Sequence, residues 1–199
     1  MEILIMDYAY LGIDAGSSNI KVCAFNVRGE LLAKASRNTP LISHSPAHHE
    51  FPVEEYWLQV ESAICEITAK VNNIVSVGFS VACPTLILLD VNQQPVCHAI
   101  TYLDGRSESF IHLTLKGKEE EVRSLTHNSP GPSACWVGTL GWLQQEQPQM
   151  MKKVRSVVML NGYLALRLGA KKTGIDPTQA AYSGAVKLAS APKWCNSLL

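Results

Sequence analysis

The stretch Gly12-Ile13-Asp14-Ala15-Gly16-Ser17-Ser18-Asn19-Ile20-Lys21 joins two short apolar runs and sets a carboxylate, a bare glycine, two hydroxyls and a lysine around one tight turn. Gly16 lets the backbone come close to an oxyanion. The amides and hydroxyls of Ser17 and Ser18 can donate to phosphate oxygens, and Asp14 offers a hard oxygen ligand suited to Mg²⁺, directly or through water. An ordinary β-turn uses the same residue types, so the turn taken alone leaves both readings open.

Outward from this turn, residues 10–13 and 20–27 read as strands, and Arg28-Gly29 is a hairpin turn into a third strand over 30–37. Residues 43–52, with their prolines and the pair His48-His49, read as a loop. A helix is predicted over 54–71, because Trp57, Val60, Ile64, Ile67 and Val71 share one face and Glu54 and Glu55 mark its start. Strands follow over 74–82, 85–91 and 99–103. Beyond Asp104 the chain turns helical, over 107–115, 119–125, 137–145 and 163–168, with a loop at 128–133. The sum is an α/β core over 10–104 with a mostly helical continuation over 105–199.

The whole chain has 199 residues, 47% of them hydrophobic, and a formal net charge of zero, enough apolar material for one large domain or two small ones. Basic residues gather nowhere, which argues against nucleic acid or an anionic membrane surface as partner, and no apolar run approaches the ~20 residues needed to cross a bilayer. The six cysteines form no Cys-x-x-Cys pair and several lie in apolar runs, so they read as free thiols in a reducing cytoplasm. His48 and His49 beside Glu50 suggest a metal site, but the spacing supplies no third convergent ligand.

Asp14-Ala15-Gly16-Ser17-Ser18-Asn19-Ile20-Lys21 resembles the Asp-x-Gly-Thr-Ser-x-x-Lys phosphate loop of the FGGY-family carbohydrate kinases. Further stretches resemble that family in the same order. His49-Glu50-Phe51-Pro52-Val53-Glu54-Glu55-Tyr56-Trp57 is similar to its Glu-Gln-Asp-Pro-x-x-Trp-Trp block, and Tyr102-Leu103-Asp104-Gly105-Arg106 to its Trp-x-Asp-x-Arg block. Thr139-Leu140-Gly141-Trp142-Leu143 resembles Lys-Leu-Leu-Trp-Leu. The runs from Asn161 to Gly169 and from Thr173 to Ala181 resemble Asp-Tyr-Leu-x-x-x-Leu-Thr-Gly and Asp-x-Ser-x-Ala, and residues 194–199 the start of Trp-x-x-x-Leu-Leu. Residues 1–9 precede the resemblance and read as an added strand or an unstructured extension.

The resemblance implies an α/β, ribonuclease-H-like amino-terminal lobe of the actin, hexokinase and heat-shock-chaperone superfold, a mixed sheet with flanking helices. It implies a cytoplasmic, ATP-dependent sugar or polyol kinase of the xylulose, ribulose, gluconate, fuculose or glycerol kinase kind, acting with Mg²⁺ on a small-molecule substrate and open to homodimerisation. By the same resemblance Asp14 would hold the metal and Gly16, Ser17 and Ser18 the transferring phosphate. Lys21 would reach phosphate or pair with a carboxylate along the second strand. Asp104, a strand-end carboxylate able to accept two sugar hydroxyls, would bind substrate with Arg106, and His49 and Glu50 lie in a loop that passes near the sugar in the family.

Departures from the family pattern limit what the resemblance implies. Ser80-Val81-Ala82-Cys83-Pro84-Thr85 stands where a Gly-Gln-x-x-Gly segment would mark an open-chain sugar, Thr139 replaces a lysine, and Tyr102 replaces a tryptophan. The catalytic aspartate base and the second, adenosine-binding lobe would lie beyond Leu199, so an incomplete lobe of residues 1–199, inactive alone, is expected. The alternatives are a non-catalytic sugar- or nucleotide-binding regulatory module and an actin-like nucleotide-binding protein of the same superfold. The blocks beyond Asp104 speak against the actin-like one.

Overall fold

The computed structural model describes residues 8–187 and 193–194; residues 1–7 and 195–199, on which the opening extension and most of the last family block fall, lie outside them. The elements begin with β1 (Ala9–Ala15), β2 (Asn19–Asn26), β3 (Leu31–Asn38), β4 (Ile42–Ser45), β5 (His48–Phe51), α1 (Val53–Thr68) and β6 (Ile74–Val81). There follow β7 (Thr85–Leu89), β8 (Ala99–Thr101), α2 (Glu108–Thr114), α3 (Glu119–Thr126), α4 (Trp136–Glu146) and α5 (Pro148–Met151). The last are β9 (Ser156–Met159), α6 (Leu160–Arg167), α7 (Pro177–Ala181), β10 (Val186–Lys187) and β11 (Lys193–Trp194). Two compact units result, one of residues 1–41 with 54–82, the other of 42–53 with 83–199. The division expected at residue 104 does not coincide with this one, because β4, β5, β7 and β8 join the later segment.

The first unit is a mixed sheet in the order β3-β2-β1-β6. β1 and β2, and β2 and β3, are antiparallel, whereas β6 returns parallel to β1 after the crossover helix α1. Period-2 alternation decides which face is buried. Leu11, Ile13 and Ala15 of β1 lie opposite Ala24, Val22 and Ile20 of β2, and all six are at most 4% exposed. The stripe Tyr56, Trp57, Val60, Ala63 and Ile67 of α1 is buried with comparable completeness, centred one step from the face expected around Ile64 and Val71. Helix and sheet are also tied by Arg37, which reaches Glu66 at 3.0 Å and Ser62 Oγ at 3.1 Å.

The second unit is an antiparallel sheet in the order β4-β5-β8-β7-β9. The interior strand β7, between β8 and β9, is buried at all five residues, which is why it reads as an apolar run. Its core joins Leu86, Leu88, Ile100 and Met159 to Trp136 and Leu143 of α4. Residues 43–52 are therefore a β4–β5 hairpin rather than the expected loop. In β5 only Phe51 is buried, so no apolar alternation announces a strand, and polar anchors from the 101–105 region hold it instead. Strand β9, unexpected from the sequence, has just four residues and owes its conformation to β7 beside it.

The five described cysteines outside the masked segments, Cys23, Cys65, Cys83, Cys97 and Cys135, are free thiols, as their spacing suggested. Among the described residues no helix is long and apolar enough to cross a membrane. Ile13→Ala removes a side chain 1% exposed from the first unit, and a loss of about 2–5 kcal/mol is expected, read as a lower midpoint in urea unfolding followed by circular dichroism.

Candidate functional site

The turn after β1 is built around one carbonyl. The oxygen of Gly16 accepts from Thr39 Oγ1 at 2.8 Å and from Tyr56 Oη at 3.1 Å, while the Gly16 amide donates to Asn19 O at 3.1 Å. A Cβ on Gly16 would sit 2.7 Å from that same Asn19 oxygen, a backbone atom that cannot swing aside, so only glycine fits. Burial, and then the charge of Asp14, raise the Tyr56 hydroxyl above its ordinary value, so it stays a neutral donor. With its carbonyl pinned, the turn holds Ser17 and Ser18 in fixed places. Among the described residues their amides and hydroxyls make no hydrogen bond, leaving four donors at one bend.

Alternation puts Asp14 on the face opposite Ile13 and Ala15, toward an open groove of about 450 Å³ lined by Gly12, Asp14, Lys21, Phe25, Phe79 and Ser80 among others. Asp14 and Lys21 are register partners across β1 and β2, and Lys21 Nζ lies 3.7 Å from Asp14 Oδ2. Lys21 thus faces the Asp14 carboxylate on the neighbouring strand β1. Both side chains are about half exposed (54% and 47%), so the pair is loose and screened. A half-exposed carboxylate with no fixed donor on it suits Mg²⁺, which keeps several waters and needs only one or two protein oxygens.

In the second unit the structure brings Glu50, Asp104 and Arg106 together with the backbone of His49. The Asp104 side chain is 1% exposed. Its Oδ1 accepts from the Arg106 amide at 3.2 Å and Nε at 3.0 Å, and its Oδ2 from Arg106 Nε at 2.9 Å and the His49 amide at 2.9 Å. Arg106 also bonds Oε1 of Glu50, and its guanidinium carbon lies 5.3 Å over the Trp142 ring. Trp142 is half-buried, packing on the core cluster while it lies under this cation. The His49 ring turns back on its own hairpin, with Nε2 3.0 Å from Pro46 O.

His48 and His98, which the sequence left out of the site, both face Glu50. His48 Nε2 is 3.1 Å and His98 Nδ1 3.3 Å from its Oε2. No local signal pointed to His98, which reaches Glu50 only because β5 pairs with β8. Burial alone would raise the Glu50 carboxyl, but hydrogen bonds and charge from Arg106 and His48 outweigh it and hold it below the ordinary 4.5. Two other resemblance blocks meet each other: Asn161 Nδ2 donates to Asp176 Oδ2 at 3.2 Å, and Asp176 Oδ1 caps α7 through the Gln179 amide. Thr139, in place of a lysine, is buried and shares a 2.9 Å hydrogen bond with Ser107.

Arg106→Gln strands the Asp104 carboxylate in the interior, and a loss of about 3–5 kcal/mol is expected from urea unfolding. Because the Glu50 pKa is depressed by folding, its stabilisation is present above the unfolded value and is lost as pH falls through the folded one. The stability gap between wild type and Glu50→Gln should narrow as pH drops below 4.5, and a gap constant down the acid limb would refute the assignment.

The profile of the FGGY family of carbohydrate kinases, N-terminal domain, matches residues 9–199. The xylulose kinase of Escherichia coli is 27% identical over 163 residues, 80% of this chain and 33% of its own length. The gluconokinase of Bacillus subtilis is 28% identical over 184 residues, 89% of this chain and 35% of its own. Among solved structures, the gluconate kinase of Lactobacillus acidophilus superposes with a TM-score of 0.88 at 22% identity, covering 97% of this chain and 39% of that one. The ligand-bound xylulose kinase of the same organism gives 0.87 at 22%, covering 96% and 39%. These likenesses establish the expected α/β, ribonuclease-H-like fold. The chain spans about a third of the length of the curated relatives it matches.

Proposed function

Since the chain belongs to the FGGY family of carbohydrate kinases, as its amino-terminal domain, we propose that it supplies the phosphate turn and part of the sugar site of an enzyme that transfers the γ-phosphoryl group of ATP to a sugar or polyol hydroxyl. The observation that carries this reading is the turn at Gly16, where a carbonyl is pinned and the amides and hydroxyls of Ser17 and Ser18 have no partner among the described residues, near an accessible carboxylate. Most of the rate in such a transfer comes from positioning and from stabilising charge on the phosphoryl oxygens.

In this reading the four donors of Ser17 and Ser18 hold the anionic phosphoryl oxygens, and Gly16 keeps a Cβ out of their way. Asp14 would hold Mg²⁺ through one oxygen, and the ion would supply further neutralisation of phosphate charge. Lys21 partly balances the charge of Asp14 while no ion is bound. On the sugar side, Asp104 has no free oxygen to offer. We assign it the positioning of Arg106 and of the β4–β5 hairpin, and give the direct sugar contacts to the partly exposed Arg106, Glu50 and hairpin edge at His49. The base for the acceptor hydroxyl and the adenosine pocket are assigned to the part of the relatives' length that this chain does not cover. The free thiols fit a reducing cytoplasm.

A coupled ADP-release assay over ketoses, aldonates and polyols tests the reading, on this chain and on the longest polypeptide that carries it. Residues 1–199 alone should be inert. The longer polypeptide should turn over one sugar class, with Asp14→Ala and Gly16→Ala lowering kcat by at least about tenfold, the loss that removal of about 1.4 kcal/mol of transition-state stabilisation brings. ATP binding without turnover on any sugar would replace the enzyme reading by a non-catalytic binding module.

A further inference from the structure

Gly16 is needed at the turn for want of room, since a Cβ there would meet Asn19 O at 2.7 Å. The same lack of a side chain leaves its backbone the freest to rotate. In a planar trans peptide the C=O of one residue and the N–H of the next point in opposite directions. Whichever way the Gly16 oxygen faces, the Ser17 amide therefore faces the other. Turned over, this one peptide would present an anion with a carbonyl oxygen in place of a donor.

Two hydroxyls from outside the turn select between these orientations. Thr39 Oγ1 and Tyr56 Oη both donate to the Gly16 oxygen, at 2.8 and 3.1 Å. Thr39 also donates its amide to Ser18 O at 3.2 Å, so a single residue holds the peptides on either side of the Ser17–Ser18 bond. Thr39 is itself fixed beyond the end of β3, where its carbonyl accepts from the Leu41 amide at 2.9 Å. Tyr56 is 1% exposed on α1, and burial together with the charge of Asp14 keeps its hydroxyl protonated.

We propose that Thr39 and Tyr56 are positioning residues for an anionic phosphoryl group, holding the Gly16–Ser17 peptide with its carbonyl on their hydroxyls and its amide on the opposite, ligand side. This role rests on the phosphate reading of the turn and adds to it the residues that set the turn's polarity. Neither side chain touches the ligand; each acts through the backbone. A turn free to flip would be competent for only part of the time, and its apparent affinity for an anion would fall by that fraction. With the carbonyl engaged beforehand, the donors are aimed before the anion arrives and no reorganisation is left to the binding step.

The test is a titration of isotope-labelled residues 1–199 with inorganic pyrophosphate in the presence of Mg²⁺, followed by backbone NMR. In the wild type the Ser17 and Ser18 amide signals should shift saturably. Thr39→Val and Tyr56→Phe each take one donor from the Gly16 carbonyl, and each should weaken pyrophosphate binding by roughly three- to tenfold. Both should also move the Gly16 carbonyl carbon resonance in the absence of ligand. Thr39→Ser keeps the hydroxyl and should bind within about twofold of wild type. Circular dichroism checks that each variant is folded; should Tyr56→Phe fail to fold, the two Thr39 variants, at a half-buried position, carry the comparison. Wild-type binding that Thr39→Val leaves unaltered, or that Thr39→Ser weakens as much as Thr39→Val, overturns the positioning role and leaves the phosphate reading standing. Absence of any saturable shift at Ser17 and Ser18 in the wild type overturns the phosphate reading of the turn, and the positioning role with it.

Discussion

The Asp104 carboxylate is the constraint around which the second unit is arranged. Moving an ion of this kind out of water costs several kcal/mol unless donors replace the lost hydration. Here the replacement is complete: a guanidinium, its own backbone amide and the amide of His49 supply donors to both oxygens. Satisfying one charge thereby fixes the turn at 104–106, the direction of Arg106 and the hairpin of β4 and β5. The hairpin has almost no apolar residues to hold it otherwise. Thr101 Oγ1 donating to His49 O and the Gly105 amide donating to Ala47 O complete the attachment. Arg106, once aimed, is shared between Asp104, Glu50 and the Trp142 ring, and these contacts would break together.

Asp14 presents the opposite case. It lies about half exposed at the end of a core strand, with one distant lysine for a partner. A carboxylate that is fully used inside the protein cannot also serve a ligand without losing its internal bonds, whereas one left in water exchanges solvent for a ligand at small cost. The contrast in burial separates the two aspartates: Asp104 spends its oxygens on Arg106 and the His49 amide, whereas Asp14 keeps its oxygens open to solvent.

What was legible in the sequence follows the same physics. β1, β2, β3, α1 and β7 were readable because each is specified by its own pattern: alternation for a half-buried strand, a 3.6-residue stripe for the helix, an apolar run for the fully buried β7. The tight turn after β1 was readable because Gly16 and the two serines that follow it are adjacent in the chain. The β4–β5 hairpin was read as a loop because its strand character comes from Asp104 and Thr101, some fifty residues away in sequence. His98 was missed for that reason too. The order of the weaker blocks carried the family assignment, since Asn161 and Asp176, or Thr139 and Ser107, mean little alone and meet only after folding.

The first strand shows why core and candidate site cannot shift independently. Successive residues of β1 point to opposite faces, so Ile13 and Ala15 enter the core while Asp14 between them faces the groove. The same register that sets Ile13 against Val22 sets Asp14 against Lys21. A slip of one residue would bury Asp14 and Lys21 and expose Ile13, Val22 and Ile20 together, a change that apolar burial forbids by several kcal/mol. Gly16 then receives its place from β1 and its carbonyl is held by Thr39 and Tyr56, residues of the segment after β3 and of α1. The turn is thus the end of a rigid assembly, its backbone placed by the packing of the sheet against α1.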